Sequence, residues 1–239
     1  MTRLTPTPTQ AEFIDSVVRL QPRVATFDCD GTLWSGDAGE GFFSWELKQG
    51  LLSEDIRQWA VPRYAAYKAD KVPEEIMCGE MVTLHRGLRE GVVQQAADTY
   101  FPQEIAPNIF PEMRDLIRHL RDNGCDVWAV SSSNQWIIRA GMRYFDIPPD
   151  RILAAETAVE DGIIVDRIIR VPSGPGKPVA IREAVTATPD CAFGNSIWDR
   201  EMLAMSKHPF AVNPNPNLKE MAITLGWTIY QPNTNHSTR

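Results

Sequence analysis

The chain has 239 residues, 43% hydrophobic and 23% charged, with a net charge of −7. That is an ordinary globular composition, long enough for one large domain or for a domain carrying an insertion. No Lys/Arg cluster offers a track for a nucleic-acid backbone, and no apolar run is long enough to span a bilayer, so neither is an expected partner.

Residues 1–9 are rich in Thr and Pro and carry no apolar signal core, so they read as loose and the setting as cytoplasmic. The four cysteines, Cys29, Cys78, Cys125 and Cys191, have no metal-ligand or redox spacing, which fits a reducing compartment. Phe13, Val17 and Leu20 predict a helix over 10–20. The apolar run Val24-Ala25-Thr26-Phe27 predicts a strand that ends in Asp28-Cys29-Asp30-Gly31-Thr32. Acids at i and i+2 of a strand share one face, and the glycine lets the chain turn away. Two such acids repel unless something positive joins them or one is protonated. A magnesium ion with a phosphate group would satisfy both. Cys29 is expected to fill the strand's other face.

From about 40 to 105 the patterns are helical only. Ser53-Glu54-Asp55 marks a helix start, Pro62 is expected to kink or end that helix, and Pro73 suits the first position of the next. Met77, Met81, Leu84 and Leu88 fall on one face. Residues 36–105 therefore read as an all-helical cap inserted between core segments 10–35 and 106–230. Alternation resumes at Pro111, with an amphipathic helix carrying Met113, Leu116, Ile117 and Leu120 and ending at Asn123-Gly124. A strand over 126–130 follows, then Ser131–Asn134, then a helix to about Phe145 and a short strand over 152–155. Residues 159–164 read as a hairpin with Asp161-Gly162 at its tip. A helix over 178–185, a strand over 191–193, a helix over 200–205 and strands over 210–212 and 228–230 complete the set, with a polar, loose tail over 231–239. Strands alternating with helices predict an α/β fold: a doubly wound, mostly parallel sheet, with ligands at the carboxyl ends of its strands.

Three further groups fall at such ends. Val130-Ser131-Ser132 offers a hydroxyl and backbone N–H groups at a helix start, which is either an anion site or an N-cap. Lys177, in Gly174-Pro175-Gly176-Lys177-Pro178, either swings into a cleft or is solvated. Gly194-Asn195-Ser196-Ile197-Trp198-Asp199 follows a buried strand.

In this order the four groups resemble the motifs of the haloacid dehalogenase superfamily, in its phosphatase branch. Asp28–Thr32 is similar to D-x-D-G-T, Ser131 to the second motif, Lys177 to the third, and Gly194–Asp199 to G-D-x-x-x-D with Asn195 in place of the first acid. The resemblance covers about 22–230 and implies a Rossmann-type core. It also implies a magnesium-dependent hydrolase of a small phosphomonoester. Asp28 would be the nucleophile that forms an aspartyl phosphate, and Asp30 the acid and then the base. Ser131, Ser132 and Lys177 would bind phosphate, and Asp28, Asp30, Asn195 and Asp199 would surround Mg2+. Asn195 keeps a carbonyl oxygen for the metal but brings one negative charge fewer.

The helical insertion resembles that of the phosphoserine-phosphatase-like subgroup, and Met77-Cys78-Gly79-Glu80-Met81 is similar to a segment of its cap. That subgroup reads a substrate carboxylate with an arginine in R-x-R-V. Arg89-Glu90-Gly91-Val92 has glycine there, which argues against phosphoserine. Asp37 and Glu40 lie where the subgroup carries acids facing the leaving group, though Asp37-x-x-Glu40 is equally a helix-capping arrangement. If Asp37 faces the cleft, an amine-bearing ester such as phosphoethanolamine or phosphocholine is expected. Arg63, Tyr64, Tyr67 and Lys68 either line the cap's inner face or form a solvated helix face. Two alternatives stay open: a phosphotransferase or phosphomutase using the same aspartyl phosphate, and a non-catalytic phosphate-binding protein on this fold. A monomer or homodimer is expected.

Overall fold

Strand β1 (Val24–Phe27) is buried at every position because it lies in the middle of a sheet covered on both faces. The computed structural model describes residues 9–233; the parts of the two expected loose ends at 1–8 and 234–239 lie outside the described residues. The other strands are β2 (Asp126–Asn134), β3 (Ile152–Glu160), β4 (Ile163–Arg170), β5 (Cys191–Gly194), β6 (His208–Val212) and β7 (Thr228–Tyr230). They lie in the order β4-β3-β2-β1-β5-β6-β7, parallel throughout except where β4 returns beside β3. Asp161 and Gly162 make the β3–β4 turn with φ of 49° and 76°, the positive pair that a two-residue hairpin demands.

Helix α1 (Gln10–Val18) precedes β1, and Thr9 closes a capping box with Glu12 at its start. Four helices then separate β1 from β2: α2 (Ala38–Gln49), α3 (Glu54–Lys68), α4 (Glu74–Thr83) and α5 (Glu90–Tyr100). The rest are α6 (Pro111–Asp122), α7 (Gln135–Met142), α8 (Gly176–Ala184), α9 (Arg200–Met205) and α10 (Pro216–Leu225).

Alternate strand residues feed two apolar layers, as the period of a pleated strand requires. Phe27, Ala129, Phe193 and Phe210 pack with α1, α6 and α7, while Trp128, Val130, Ala192 and Ala211 pack with α8, α9 and α10. The sheet is thus doubly wound. Phe42 of α2 and Val93 and Ala97 of α5 join the first layer, whereas Phe43, Leu52, Ala60 and Leu84 form a small cluster of their own. No helix among the described residues is long and apolar enough to cross a membrane.

The structure corrects or narrows the sequence reading in three places. Of the two outcomes expected at Pro62, a kink or an end, the end does not occur: helix α3 runs through it. Pro62 removes a backbone donor, but it and Gln58, whose carbonyl loses the partner, are both exposed, so water takes its place. Strand β2 continues to Asn134, and Asn134, not Ser131, caps α7 by accepting from Ile137 N–H. Helix α10 was not expected at all. Asn215 caps it, Pro216 holds its first position and Gly226 ends it in the left-handed conformation.

Candidate active site

Asp28 leaves the sheet still tied to it, its N–H donating to Phe193 O at 2.9 Å. The chain then turns sharply, with Thr32 and Leu33 N–H both donating to Cys29 O. Gly31 makes the turn at φ 75°, and a β-carbon there would overlap the side-chain amide of Asn195. Glycine is therefore required for both conformation and space. Cys29 is fully buried, as its alternation predicts. Asp28 and Asp30 both open on one cavity of about 610 Å³, at the carboxyl ends of the parallel strands.

Lys177 is 1% exposed and organises the floor of this cavity. Its ammonium donates to Asp28 Oδ1 at 2.7 Å, Asp199 Oδ1 at 2.6 Å and Val130 O at 3.0 Å, which uses all of its protons. Asp28 Oδ2 accepts from Thr32 Oγ1 at 2.7 Å. Burial pushes the Asp28 carboxyl up and Asp199 adds to this, while Lys177 and Thr32 oppose it, leaving it at about 6. Burial works against the charge on Lys177, but Asp199 and Asp28 outweigh it and hold the ammonium above its ordinary range.

Asp199, expected beside the metal, does not reach the cavity. Its Oδ2 accepts from the Asn195 and Ser196 N–H groups at 2.9 Å each, so both oxygens are already engaged. It folds the Asn195 loop and fixes Lys177. Asn195 does line the cavity, together with Asp28 and Asp30. No cluster of three or more His, Cys, Asp or Glu forms a ready-made metal site among the described residues. What is present is a set of hard oxygens, two carboxylates and a side-chain amide, the donor type that suits Mg2+.

Asp30 is held by three donors. Trp34 Nε1 (2.8 Å) and Ala38 N–H (2.6 Å) reach Oδ1, and Ser133 Oγ (2.6 Å) reaches Oδ2. Burial pushes its carboxyl up to about 7, with Asp37 adding and Ser133 and Ala38 opposing. Ser133 was missed in the sequence because β2 was expected to stop before it. Ser131 lies below the cavity floor, buried, its hydroxyl accepting from Ser133 N–H at 3.1 Å. Ser132, Ser133 and Asn134 are the residues of that segment that line the cavity.

The wall comes from the helices between β1 and β2. Asp37 caps α2, accepting from Glu40 N–H at 2.8 Å, and also opens on the cavity, so its two expected roles coexist. Glu40 pairs with Lys68 at 3.0 Å across the mouth. Tyr64, Tyr67 and Lys68 line the cavity; Arg63 does not, because Glu80 binds its guanidinium through two hydrogen bonds of 2.7 and 2.8 Å. Glu74 also lines it and was missed. An acid in a helix's first turn is commonplace, and its contact with Ser173 spans 99 residues, so local sequence carried no signal. No arginine of the described residues lines the cavity, Arg89 included.

Residues 25–204 match the haloacid dehalogenase-like hydrolase family. A probable phosphatase of Mycobacterium tuberculosis is 28% identical over 221 residues, covering 87% of this chain and 76% of its own. A protein of unknown function from Bordetella pertussis Tohama I has the same fold, with a TM-score of 0.78 at 20% identity over 87% of this chain and 97% of that one. A phosphoserine phosphohydrolase-like protein from Francisella tularensis matches with a TM-score of 0.60 at 16% identity, over 88% and 95% of the two chains. The matched segment runs from β1 to α9 and so contains the ends of β1, β2 and β5 and the start of α8, where Asp28, Ser132, Asn195 and Lys177 meet at the cavity; this chain belongs to the haloacid dehalogenase-like hydrolase family.

Proposed function

We propose that the protein hydrolyses a small phosphomonoester through an aspartyl phosphate on Asp28, with Mg2+ as cofactor. The observation that carries this is the Asp28 carboxylate itself, gripped by Lys177 and Thr32 at the end of β1 and open to a cavity that Asp30 also lines. An oxygen of Asp28 attacks phosphorus. As the ester bond breaks, the departing alcohol oxygen takes a proton from Asp30, whose raised carboxyl suits it to hold one near neutral pH. Asp30 then accepts a proton from the water that attacks the acyl phosphate, phosphate leaves, and Asp28 is restored. Ser132 binds phosphate oxygens, Lys177 holds the attacking Asp28 carboxylate and lends its positive charge to the phosphoryl group, and Ser131 supports the floor. Asp28, the main-chain oxygen of Asp30 and Asn195 would hold the metal, and Mg2+, when bound, supplies charge neutralisation for the phosphoryl group.

Residues 36–105 act in this proposal as a cap that excludes water and selects substrates, with Asp37 and Glu40 at its edge facing the leaving group. The test is phosphate release from an aryl phosphate. Activity is expected with Mg2+, lost with a chelator, and abolished in Asp28→Asn of unchanged circular dichroism. Turnover by that variant near the wild-type rate would contradict the assignment.

A further inference from the structure

Five carboxylates and two ammonium groups line the cavity: Asp28, Asp30, Asp37, Glu40 and Glu74 against Lys68 and Lys177. Lys177 is committed to Asp28 and Asp199, and Lys68, half-exposed at the mouth, faces Glu40. Asp30 has its three hydrogen-bond donors, and Asp37 stands exposed at the mouth. Glu74, like Asp30 and Asp37, is in no ion pair among the described residues, but it is only 6% exposed and lacks the set of short donors that Asp30 has. Ser173 Oγ donates to its Oε1 at 2.7 Å, while Oε2 has only the Tyr67 hydroxyl at 3.5 Å, the outer limit of a hydrogen bond.

A buried carboxylate without a counter-charge is costly unless it is protonated or a cation arrives. Burial pushes this one up to about 7, which is the first response. The surroundings suit the second. The rings of Tyr64 and Tyr67 lie 5.6 Å apart between centroids, both on the cavity, and aromatic faces attract cations. Ser173, Glu74's partner, lies in the turn that leads into Lys177, so the carboxylate is joined to the phosphate-binding side of the cavity. A place at the start of α4 explains an acid there, but not its burial, since a helix dipole is served as well from the surface.

We propose that Glu74 holds a cationic nitrogen of the leaving group, and that the substrate is the phosphate monoester of a small amino alcohol. This rests on the phosphomonoesterase activity proposed above. A substrate carboxylate would meet only Lys68 at the mouth, which already faces Glu40, whereas a cationic group would answer the buried Glu74 carboxylate.

The test compares esters that differ only in that charge. Phosphoethanolamine is paired with propyl phosphate, and phosphocholine with 3,3-dimethylbutyl phosphate; p-nitrophenyl phosphate serves as the common reference. In the wild-type protein kcat/KM for at least one cationic ester should exceed that of its neutral partner by roughly tenfold or more. The pair that shows it tells a primary from a quaternary nitrogen. In Glu74→Gln that ratio should fall towards one. If Glu74→Gln does not fold, Tyr67→Leu, which alters the same wall, is measured the same way. A wild-type ratio near one for both pairs overturns the proposal. So does a ratio that Glu74→Gln leaves intact while both esters slow equally, which would make Glu74 a latch between α4 and the Ser173 turn. Turnover of p-nitrophenyl phosphate but of no cationic ester overturns it too and leaves the hydrolase standing. No turnover of any ester sinks both.

Discussion

The floor and the wall of one cavity balance charge in opposite ways. At the floor Lys177 bridges Asp28 and Asp199 at 2.7 and 2.6 Å, and all three are buried, so the protein supplies these carboxylates with a cation of its own. At the wall Glu74 is buried just as deeply and is answered only by hydroxyls. The floor is assembled from the ends of β1, β2 and β5 and the start of α8, elements that the sheet holds rigidly. The wall comes from the helices between β1 and β2. A floor closed on itself is preorganised for a reaction common to many substrates. A wall left open in charge gains its missing partner from one kind of substrate.

Breaking the floor should have the largest effect. Lys177→Met leaves two buried carboxylates without their cation, a loss of about 3–5 kcal/mol in unfolding free energy by urea titration. A midpoint within error of wild type would mean that the floor tolerates open charge as the wall does.

Titrating metal-free protein compares the two regions directly. Asp28, Asp30 and Glu74 are all raised by burial, to about 6, 7 and 7. The folded state therefore holds these protons more tightly than the unfolded chain. Their contribution to stability is fully present below the ordinary carboxylate range, near pH 4, and is lost as pH rises through 6 to 7. Each contributes on the order of 1 kcal/mol or more to that loss. The Tm of the metal-free protein should fall from pH 5 to pH 8, and Glu74→Gln should flatten the fall. A Tm that climbs over that range would contradict the assignment of buried, proton-holding acids.

The smallest effect tests the edge of the floor. Asn195→Asp restores a charge beside Asp28 and should tighten Mg2+ binding by on the order of 1 kcal/mol, read by calorimetry. Unchanged binding would remove Asn195 from the ligand set.

The same contrast explains what the sequence revealed. Asp28, Asp30 and Lys177 could be found because each follows a strand or a glycine-rich turn, where local pattern fixes position. The two-layer alternation of Phe27, Trp128, Ala192 and Phe210 was equally legible, since burial on both faces demands apolar strands. Asp199 was legible as a motif acid, but its engagement by Lys177 and by the Asn195 loop was not, because that depends on folded geometry. Ser133 was hidden by the unforeseen length of β2. Glu74 was hidden because its burial at the start of α4 depends on what that helix packs against. Helix α10 was legible and overlooked: Asn215-Pro216 is a helix start, masked by a second proline at Pro214.

The central claim is that Asp28 carries the phosphoryl group. Acid quench during steady turnover of an aryl phosphate in Mg2+, followed by borohydride reduction and peptide mass spectrometry, tests it most directly, because an acyl phosphate of aspartate is reduced to homoserine. Homoserine at position 28, absent without substrate, is the predicted result. Phosphate release with Asp28 unmodified, or with the reduced residue elsewhere, would contradict it.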